Sequence, residues 1–403
     1  AKTWQTASLT NEGTINVSAG IFNLGQAASG TATWNNAAGI INLSGGTLNA
    51  YGNFTAADLA NIAKTGGSLV LQGNLNNTGN TLDVSSGIFS SGSFSGTITG
   101  GNIISSLGNA TPLSTSGTPT FVGVTLGNAG NLALTINGSL YVSNGITLAN
   151  GAIVSKDSGI WYWNSTGTQT LGVAGGGTAT LNSTGGYHYA GYGATGQTLQ
   201  FAAGLTQQGN ISIYDSSAAN VINLGTIKQS LAATTSTIQV TNFSNAAGAT
   251  LSTTAGTTTL NSTTWSNAGT LDVSGGIMNL SGTNATNTGG FNLSNGTLNL
   301  GGTLATPVLG SFTRTGGLVN ITGVLNNAGQ TLDIGSGGVF GPGGLNNISG
   351  TILGGTIISV DGTALNTIGG SVLNGVTLGN AGNLALTING SLYVSNGITL
   401  ANG

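Results

Sequence analysis

The sequence contains no cysteine and very little charge. Without cysteine, neither a disulfide framework nor a thiolate metal site is available, so stability must come from packing and hydrogen bonds. Only 3% of the 403 residues are Asp, Glu, Lys or Arg, whereas a soluble globular chain has about a quarter. The five Lys and Arg residues cannot neutralise a run of phosphates. Nucleic-acid binding is therefore excluded, and attraction to an anionic membrane is not expected.

Long hydrophobic runs are also missing. No apolar run reaches the roughly 18 residues that span a bilayer, which predicts no membrane insertion. The chain begins with "AKTWQTASLT", which has neither Met nor a signal-peptide pattern and is typical of the interior or matured end of a longer chain. Yet 38% of the residues are apolar and the formal charge is only −3. This composition is not that of a disordered chain, and it can bury a core.

What the chain has is repetition, first on a long scale. The 29 residues from Gly123 to Gly151 recur letter for letter from Gly375 to Gly403, 252 positions later. Other blocks match at nearby offsets, such as "NEGTINVSAGIFNL" with "NAGTLDVSGGIMNL". Such an array predicts that the chain is a window onto a longer polypeptide, or else that identical chains stack end to end. It also predicts three regions: 1–151 and 253–403 as partial copies of the long repeat, and 152–252 as a single-copy middle section.

A shorter repeat lies inside these blocks. "TLDVSGGIMNLSG" is followed 20 residues later by "FNLSNGTLNLGG". Each unit alternates apolar with small polar residues, turns at Gly or Asn-Gly, and alternates again, which is typical of strands with one buried face. Two short strands and a corner every ~20 residues bury an apolar face only when successive units stack. The sequence therefore predicts an all-β fold, a parallel β-solenoid that forms one continuous rod.

One motif fixes the expected register of this solenoid. The pattern "T-L-D-[VI]" occurs three times, with an Asp between two apolar residues. Since strand side chains alternate between faces, Asp83, Asp272 and Asp333 should point outward. The flanking apolar residues should point inward; they are Leu82, Val84, Leu271, Val273, Leu332 and Ile334.

Asparagine recurs at the expected corners, in "LNNTGN", "LNNAGQ", "WSNAG" and "VSNG". Asn tolerates a left-handed backbone, and its amide can bond to the same group one coil above and below. Ladders of this kind would replace the missing ion pairs. Stability should then change little with salt or moderate pH, because few groups titrate.

The motifs "NAGTLDVSGGIMNL", "GTITGGNIIS" and "GTQTLGVAGGG" resemble the repeats of very large bacterial surface proteins, the filamentous-haemagglutinin-like and autotransporter-like adhesins. The resemblance covers most of the chain. It implies a right-handed parallel β-helix, export to the cell surface, and a passive role as stalk, fibre or adhesin. The calcium-binding "GGxGxDxUx" motif of other solenoids does not occur.

Aromatic side chains concentrate in the middle section, in "VSKDSGIWYWN" and "GGYHYAGYG". One interpretation is a shallow glycan-contact patch, because aromatic faces can stack on sugar rings. The other is that equivalent aromatics on successive coils stack on one another, as cross-strand pairs do. The candidate residues are Trp161, Trp163, Tyr187, His188, Tyr189 and Tyr192.

The sequence thus predicts a non-catalytic, extracellular fibre or adhesin segment, without cofactor, metal or catalytic residues. Its expected partners are neighbouring repeats, identical chains end to end or side by side, and surface glycans or other cells. A carbohydrate-active β-helix enzyme or glycan-binding module is the alternative. An ice-binding solenoid is the third, suggested by threonine-rich runs such as "TTSTIQV" and "TTAGTTTLNSTTW". Sequons, including Asn109, Asn182, Asn261 and Asn389, leave glycosylation open.

Overall fold

The structure, a computed structural model, describes residues 1–26, 32–85, 87–89, 93–108, 112–130, 132–379 and 386–401. The sequon at Asn109 lies outside these residues. The chain is an all-β parallel β-solenoid of about 17 turns of about 22 residues, which confirms the fold class predicted from the alternation. It divides into two units, Ala1–Gln207 and Gln208–Gly403.

The first unit contains one short α-helix, Ala56–Ala60, and two single-turn 3₁₀ segments, Gly87–Phe89 and Ala174–Gly176, among its described residues. Its strands are short and parallel to the strands one coil away. They are β1 Lys2–Trp4, β2 Ser8–Thr10, β3 Thr14–Val17, β4 Ile21–Leu24, β5 Thr33–Asn35, β6 Ile40–Leu43, β7 Thr47–Ala50, β8 Asn53–Thr55, β9 Ile62–Lys64, β10 Ser68–Leu71, β11 Asn74–Asn76, β12 Thr81–Asp83, β13 Ser93–Phe94, β14 Thr97–Thr99, β15 Asn102–Ile104, β16 Leu113–Thr115, β17 Thr120–Leu126, β18 Leu134–Asn137, β19 Leu140–Leu148, β20 Ile153–Lys156, β21 Trp161–Trp163, β22 Thr168–Val173, β23 Ala179–Ser183, β24 Tyr187–Ala190, β25 Thr198–Phe201 and β26 Leu205–Gly209, whose end lies in the second unit.

The second unit has the same architecture, with one 3₁₀ segment, Thr306–Leu309, among its described residues. Its strands are β27 Ser212–Asp215, β28 Asn220–Asn223, β29 Thr226–Gln229, β30 Thr235–Gln239, β31 Asn242–Asn245, β32 Thr250–Thr253, β33 Thr257–Asn261, β34 Thr264–Asn267, β35 Thr270–Val273, β36 Ile277–Ser281, β37 Asn284–Asn287, β38 Gly290–Leu293, β39 Thr297–Leu300, β40 Thr303–Ala305, β41 Ser311–Arg314, β42 Leu318–Ile321, β43 Val324–Asn326, β44 Thr331–Asp333, β45 Asn347–Ile348, β46 Thr351–Leu353, β47 Thr356–Ile358, β48 Leu365–Asn366, β49 Ser371–Leu378, β50 Ile388–Asn389 and β51 Leu392–Leu400.

Each regular coil contains three strands, so the prediction of two strands per coil was wrong. In the second unit, β31, β32 and β33 pair in parallel with β34, β35 and β36 of the next coil. The coil thus has three faces, and the apolar residues of all three point into one core. The third strand was missed because strands of three or four residues contain at most two inward positions, too few to define a period.

The predicted register is confirmed. Leu271 and Val273 are both 1% exposed, and the Asp272 between them points outward and is half-buried. The other inward residues are also buried: Leu82, Val84, Leu332 and Ile334. Asp272 accepts a hydrogen bond of 2.7 Å from Ser252 Oγ on the previous coil. The outward carboxylate therefore links two neighbouring coils at the surface.

The corner at Gly276 is also as predicted. Its φ is 65°, in the left-handed region that favours glycine. A Cβ at this position would lie 2.3 Å from the carbonyl oxygen of Gly256, one coil away. Glycine is therefore required here both by the backbone angle and by the close approach of the two coils.

Asparagine ladders run from coil to coil, as the sequence predicted. In the second unit Asn223, Asn245, Asn267 and Asn287 form a buried ladder in which each Nδ2 donates to the next Oδ1, at 2.8, 2.7 and 2.8 Å. The left-handed backbone expected of such residues is found at Asn144 and Asn396, both with φ of 57°. The buried ladder instead lies in extended strands. Its amides therefore replace apolar residues in the core.

Candidate functional site in the aromatic segment

The candidate aromatic residues of the middle section lie on two neighbouring coils of the first unit. Strands β21 and β24 pair in parallel, with Trp161 opposite His188 and Tyr162 opposite Tyr189. Because side chains alternate between faces, one set points into the core and the other to the surface. Trp161 and Trp163 are 0% exposed and His188 is 2% exposed, so these three side chains belong to the core.

The buried set is a packed aromatic cluster that contains a side-chain hydrogen bond. Trp163 Nε1 donates a hydrogen bond of 3.2 Å to His188 Nδ1, which requires an unprotonated Nδ1. The His188 ring meets Trp161 edge-on, with 5.6 Å between centroids. Burial, and then the positive charge of Lys156, lower the pKa of His188 to about 3. The imidazole is therefore neutral at physiological pH and acts as a core side chain.

Lys156 is buried beside this cluster, which the sequence reasoning missed. Its side chain is 1% exposed, and Nζ donates a hydrogen bond of 2.7 Å to the carbonyl oxygen of Gly185. Burial lowers the pKa of Lys156 to about 7, against the opposing effect of the Asp157 carboxylate. The signal was in the alternation of "IVSK", which places Lys156 on the same inward face as Val154. The lowered pKa of Lys156 instead predicts that stability changes with pH near and above neutrality.

The outward-facing set forms a patch that we call the tyrosine cluster, made of Tyr141, Tyr162, Tyr187, Tyr189 and Tyr192. Ring centroids of neighbouring members lie 4.8 to 5.9 Å apart, in tilted or edge-on arrangements. Tyr192 is 38% exposed and the other four are half-buried. The rings therefore stack mainly on one another along the solenoid axis, as the second interpretation of the aromatic residues predicted.

The glycan-contact patch predicted from the sequence must be corrected in its membership. Trp161, Trp163 and His188 cannot contact a surface ligand, because they are enclosed by the coil. The members that face outward are Tyr187, Tyr189 and Tyr192, and the structure adds Tyr141 and Tyr162 to this outward set. Glycan contact stays a prediction for these tyrosines alone.

The predicted threonine array is short. Thr235 and Thr237 on β30 lie opposite Thr257 and Thr259 on β33. On the next coil the same two positions are Ile277 and Asn279. The regular hydroxyl pattern on this face therefore extends over two coils.

Three further findings bear on function. Within the described ranges, no three His, Asp or Glu side chains lie close enough together to hold a metal ion, and no helix has the length and apolar character to cross a bilayer. No family model, curated protein or solved structure matches the chain. The likeness to giant bacterial adhesins therefore remains an interpretation of the sequence motifs, while the β-solenoid itself is established.

Proposed function

We propose that the protein is a segment of an extracellular, non-catalytic fibre or adhesin on a bacterial surface. The observation that carries the proposal is the hydrogen-bonded stacking of coils that have almost no charge. Parallel strands join each coil to the next, and asparagine ladders add side-chain bonds along the same direction. A structure of this kind resists extension and depends little on ion pairs, which suits a filament exposed to changing ionic strength.

The surface carboxylates support a structural role. Asp83 Oδ1 accepts hydrogen bonds from the backbone N–H groups of Ser85 and Ser106, and Asp333 Oδ1 accepts one of 2.9 Å from Gly335 N. These bonds join neighbouring residues and neighbouring coils. Together with the hydrogen bond from Ser252 to Asp272, these bonds connect the recurrent Asp of the repeat to its own turn or to an adjacent coil.

The proposal is tested on intact cells of the producing organism. Antibodies raised against the recombinant chain should label intact cells, and external proteinase K should remove the labelled material. The recombinant chain, added in excess, should reduce attachment of these cells to their host surface. Labelling that requires cell lysis would contradict the surface location, and unchanged attachment would leave a fibre without an adhesive role.

The rival function is a carbohydrate-active enzyme. It predicts shorter products when neutral or acidic oligosaccharides are incubated with the chain, whereas the proposed function predicts that they stay intact. Mass spectrometry of the oligosaccharides decides between them. A heat-denatured sample serves as the control for spontaneous hydrolysis.

A further inference from the structure

The second unit has an open groove along the corner that follows β30, β33 and β36. Its volume is about 560 Å³. We call it the threonine groove, because the same corner position of successive coils is occupied by Thr241, Thr263, Thr283 and Thr303. The first three directly precede β31, β34 and β37, which pair in register.

The groove follows the axis of this unit, because each of its positions is repeated on the next coil. From Tyr214 to Thr303 the lining residues come from five successive coils, which at the usual strand spacing corresponds to about 19 Å. In an extended polysaccharide, the length of one sugar residue is similar to the rise of one coil. A linear polymer could therefore meet the same set of groups at each step.

The lining is polar but almost uncharged. Gln239, Asn261, Thr263 and Thr303 line the groove, and their side chains make no hydrogen bond within the described part of the chain. The lining has a single charged side chain, Asp215, and its Oδ2 already accepts bonds from Thr241 N and Thr241 Oγ1, both 2.8 Å. Amides and hydroxyls without partners suit a ligand rich in hydroxyl groups. A single acid and no cation disfavour a polyanion.

A buried group beneath the corner also lacks a partner. Ser262 lies between Asn261 and Thr263, is 0% exposed and lines the groove. Its Oγ makes no hydrogen bond among the residues that the structure describes. Buried hydroxyls are normally bonded to protein or water, so Ser262 is an unsatisfied polar group directly beneath the groove.

We propose that the threonine groove binds a linear, uncharged polysaccharide that lies along the axis of the unit. The threonine hydroxyls and the Gln239 and Asn261 amides would bond its hydroxyls, and the Tyr214 ring would stack on a sugar at one end. A protein partner is less suited, because Val240 and Tyr214 are the only large apolar side chains in the lining. The inference goes beyond the proposed function, since a glycan could bind here whether or not the protein forms a fibre.

The test is calorimetric titration of the full chain with three neutral hexasaccharides: cellohexaose, mannohexaose and N-acetylchitohexaose. At least one should bind, and its disaccharide should bind at least tenfold more weakly, because it spans a fraction of the groove. Hexagalacturonate, which has similar length but carries charge, should bind more weakly than the best neutral ligand. Absence of binding by all three neutral hexasaccharides, or stronger binding of the charged one, would overturn the proposal.

Two matched variants locate the site. The double substitution Thr263→Val and Thr283→Val removes two hydroxyls while keeping β-branched side chains, and should weaken binding roughly tenfold or more. Thr250→Val with Thr270→Val makes the same change on the outward face of β32 and β35, which lie outside the groove, and should change affinity less than twofold. Circular dichroism and thermal unfolding confirm that both variants fold. Equal affinities of the two variants would refute the groove as the site.

The outcomes also separate this inference from the proposed function. Failure of every neutral ligand to bind refutes the groove and leaves the fibre proposal standing. Binding followed by cleavage keeps the groove and refutes the non-catalytic function. Binding of the intact oligosaccharide supports both.

Discussion

Gly276 illustrates what a single residue contributes at a coil corner. Its left-handed φ and the carbonyl oxygen of Gly256, 2.3 Å from where a Cβ would lie, leave no room for a side chain. Asp272, four residues earlier, is half-buried and bonded to Ser252, but an amide can accept the same bond. Corner geometry should therefore matter more to stability than surface charge.

Replacing Gly276 by Val should lower the free energy of unfolding by roughly 2–4 kcal/mol, because a β-branched residue is strained at positive φ and the coils must move apart. Replacing Asp272 by Asn should change it by less than about 1 kcal/mol. Denaturant unfolding of the two variants measures the difference. Equal midpoints would argue against a required glycine at this corner.

Tyr141 and Tyr393 allow a test of the tyrosine cluster with a matched control. The two residues occupy the same place in the repeated 29-residue stretch. Tyr141 packs against Tyr162 and Tyr192, with centroids 5.2 and 5.7 Å apart, whereas Tyr393 is 69% exposed. Tyr141→Ala should therefore lower the free energy of unfolding by roughly 1–2 kcal/mol, and Tyr393→Ala by much less. Thermal unfolding gives both values, and similar losses would contradict stabilisation by the stacked rings.

At the level of strands, the sequence predicts some features and not others for a physical reason. In "TLDV" the apolar residues occupy every second position, so their alternation with polar residues identifies the inward face, and the structure agrees. In "WYW" and "YHY" the residues that point to either face of the strand are aromatic, so periodicity cannot tell which set is buried. Packing decides: the indoles fill the core, while the phenol hydroxyls of Tyr162 and Tyr189 stay on the outer face, where they can reach water.

The threonine groove was not predictable for a different reason. Its residues come from five coils and are about twenty residues apart in the sequence. Each contributes a common surface residue, Thr, Gln or Asn. No single stretch carries a signal, and the juxtaposition depends on the number of residues in each coil. The same dependence explains why the buried asparagine ladder was expected only as a corner feature.

The buried ladder gives a prediction at this scale. Asn245 accepts a bond from Asn223 and donates one to Asn267, so Asn245→Leu should orphan buried groups on both neighbouring coils. The expected loss is roughly 2–4 kcal/mol of unfolding free energy. Asn299, in the outward ladder between Asn279 and Asn320, is half-buried, and Asn299→Leu should cost less than about 1 kcal/mol. Denaturant unfolding compares them, and equal losses would mean that the buried amides add no special stability.

For the molecule as a whole, scarcity of charge does not mean independence of pH. The few titratable groups include two carboxylates whose pKa is lowered by the fold. Partial burial raises the pKa of Asp83, but hydrogen bonds from Ser106 and Ser85 outweigh it and hold this pKa well below its usual range. Backbone and side-chain bonds from Ser336 and Thr363 do the same for Asp361. The stability from these carboxylates is present above their unfolded pKa of 3.8 and is lost as the pH falls below it.

His188 and Lys156 act in the same direction, because both bind a proton less readily in the folded chain. The pKa of His188 falls from 6.5 to about 3, so acidification below about 6.5 should progressively destabilise the first unit. The pKa of Lys156 falls from 10.5 to about 7. Between these two values the unfolded chain binds more protons at Lys156, so the unfolding free energy should rise with pH across this window.

The unfolding free energy should rise with a slope that approaches about 1.4 kcal/mol per pH unit, the value for one proton. Denaturant unfolding at closely spaced pH values between about 6 and 11 measures it. Lys156→Met keeps the length of the side chain without the charge and should flatten the profile across this window, whereas Lys228→Met, on an outward position of β29, should leave the slope unchanged. A flat profile for the unsubstituted chain would mean that the fold does not lower the pKa of Lys156 in solution. A slope that survives Lys156→Met would assign it to another group. Either result would remove the buried lysine as the cause of pH-dependent stability.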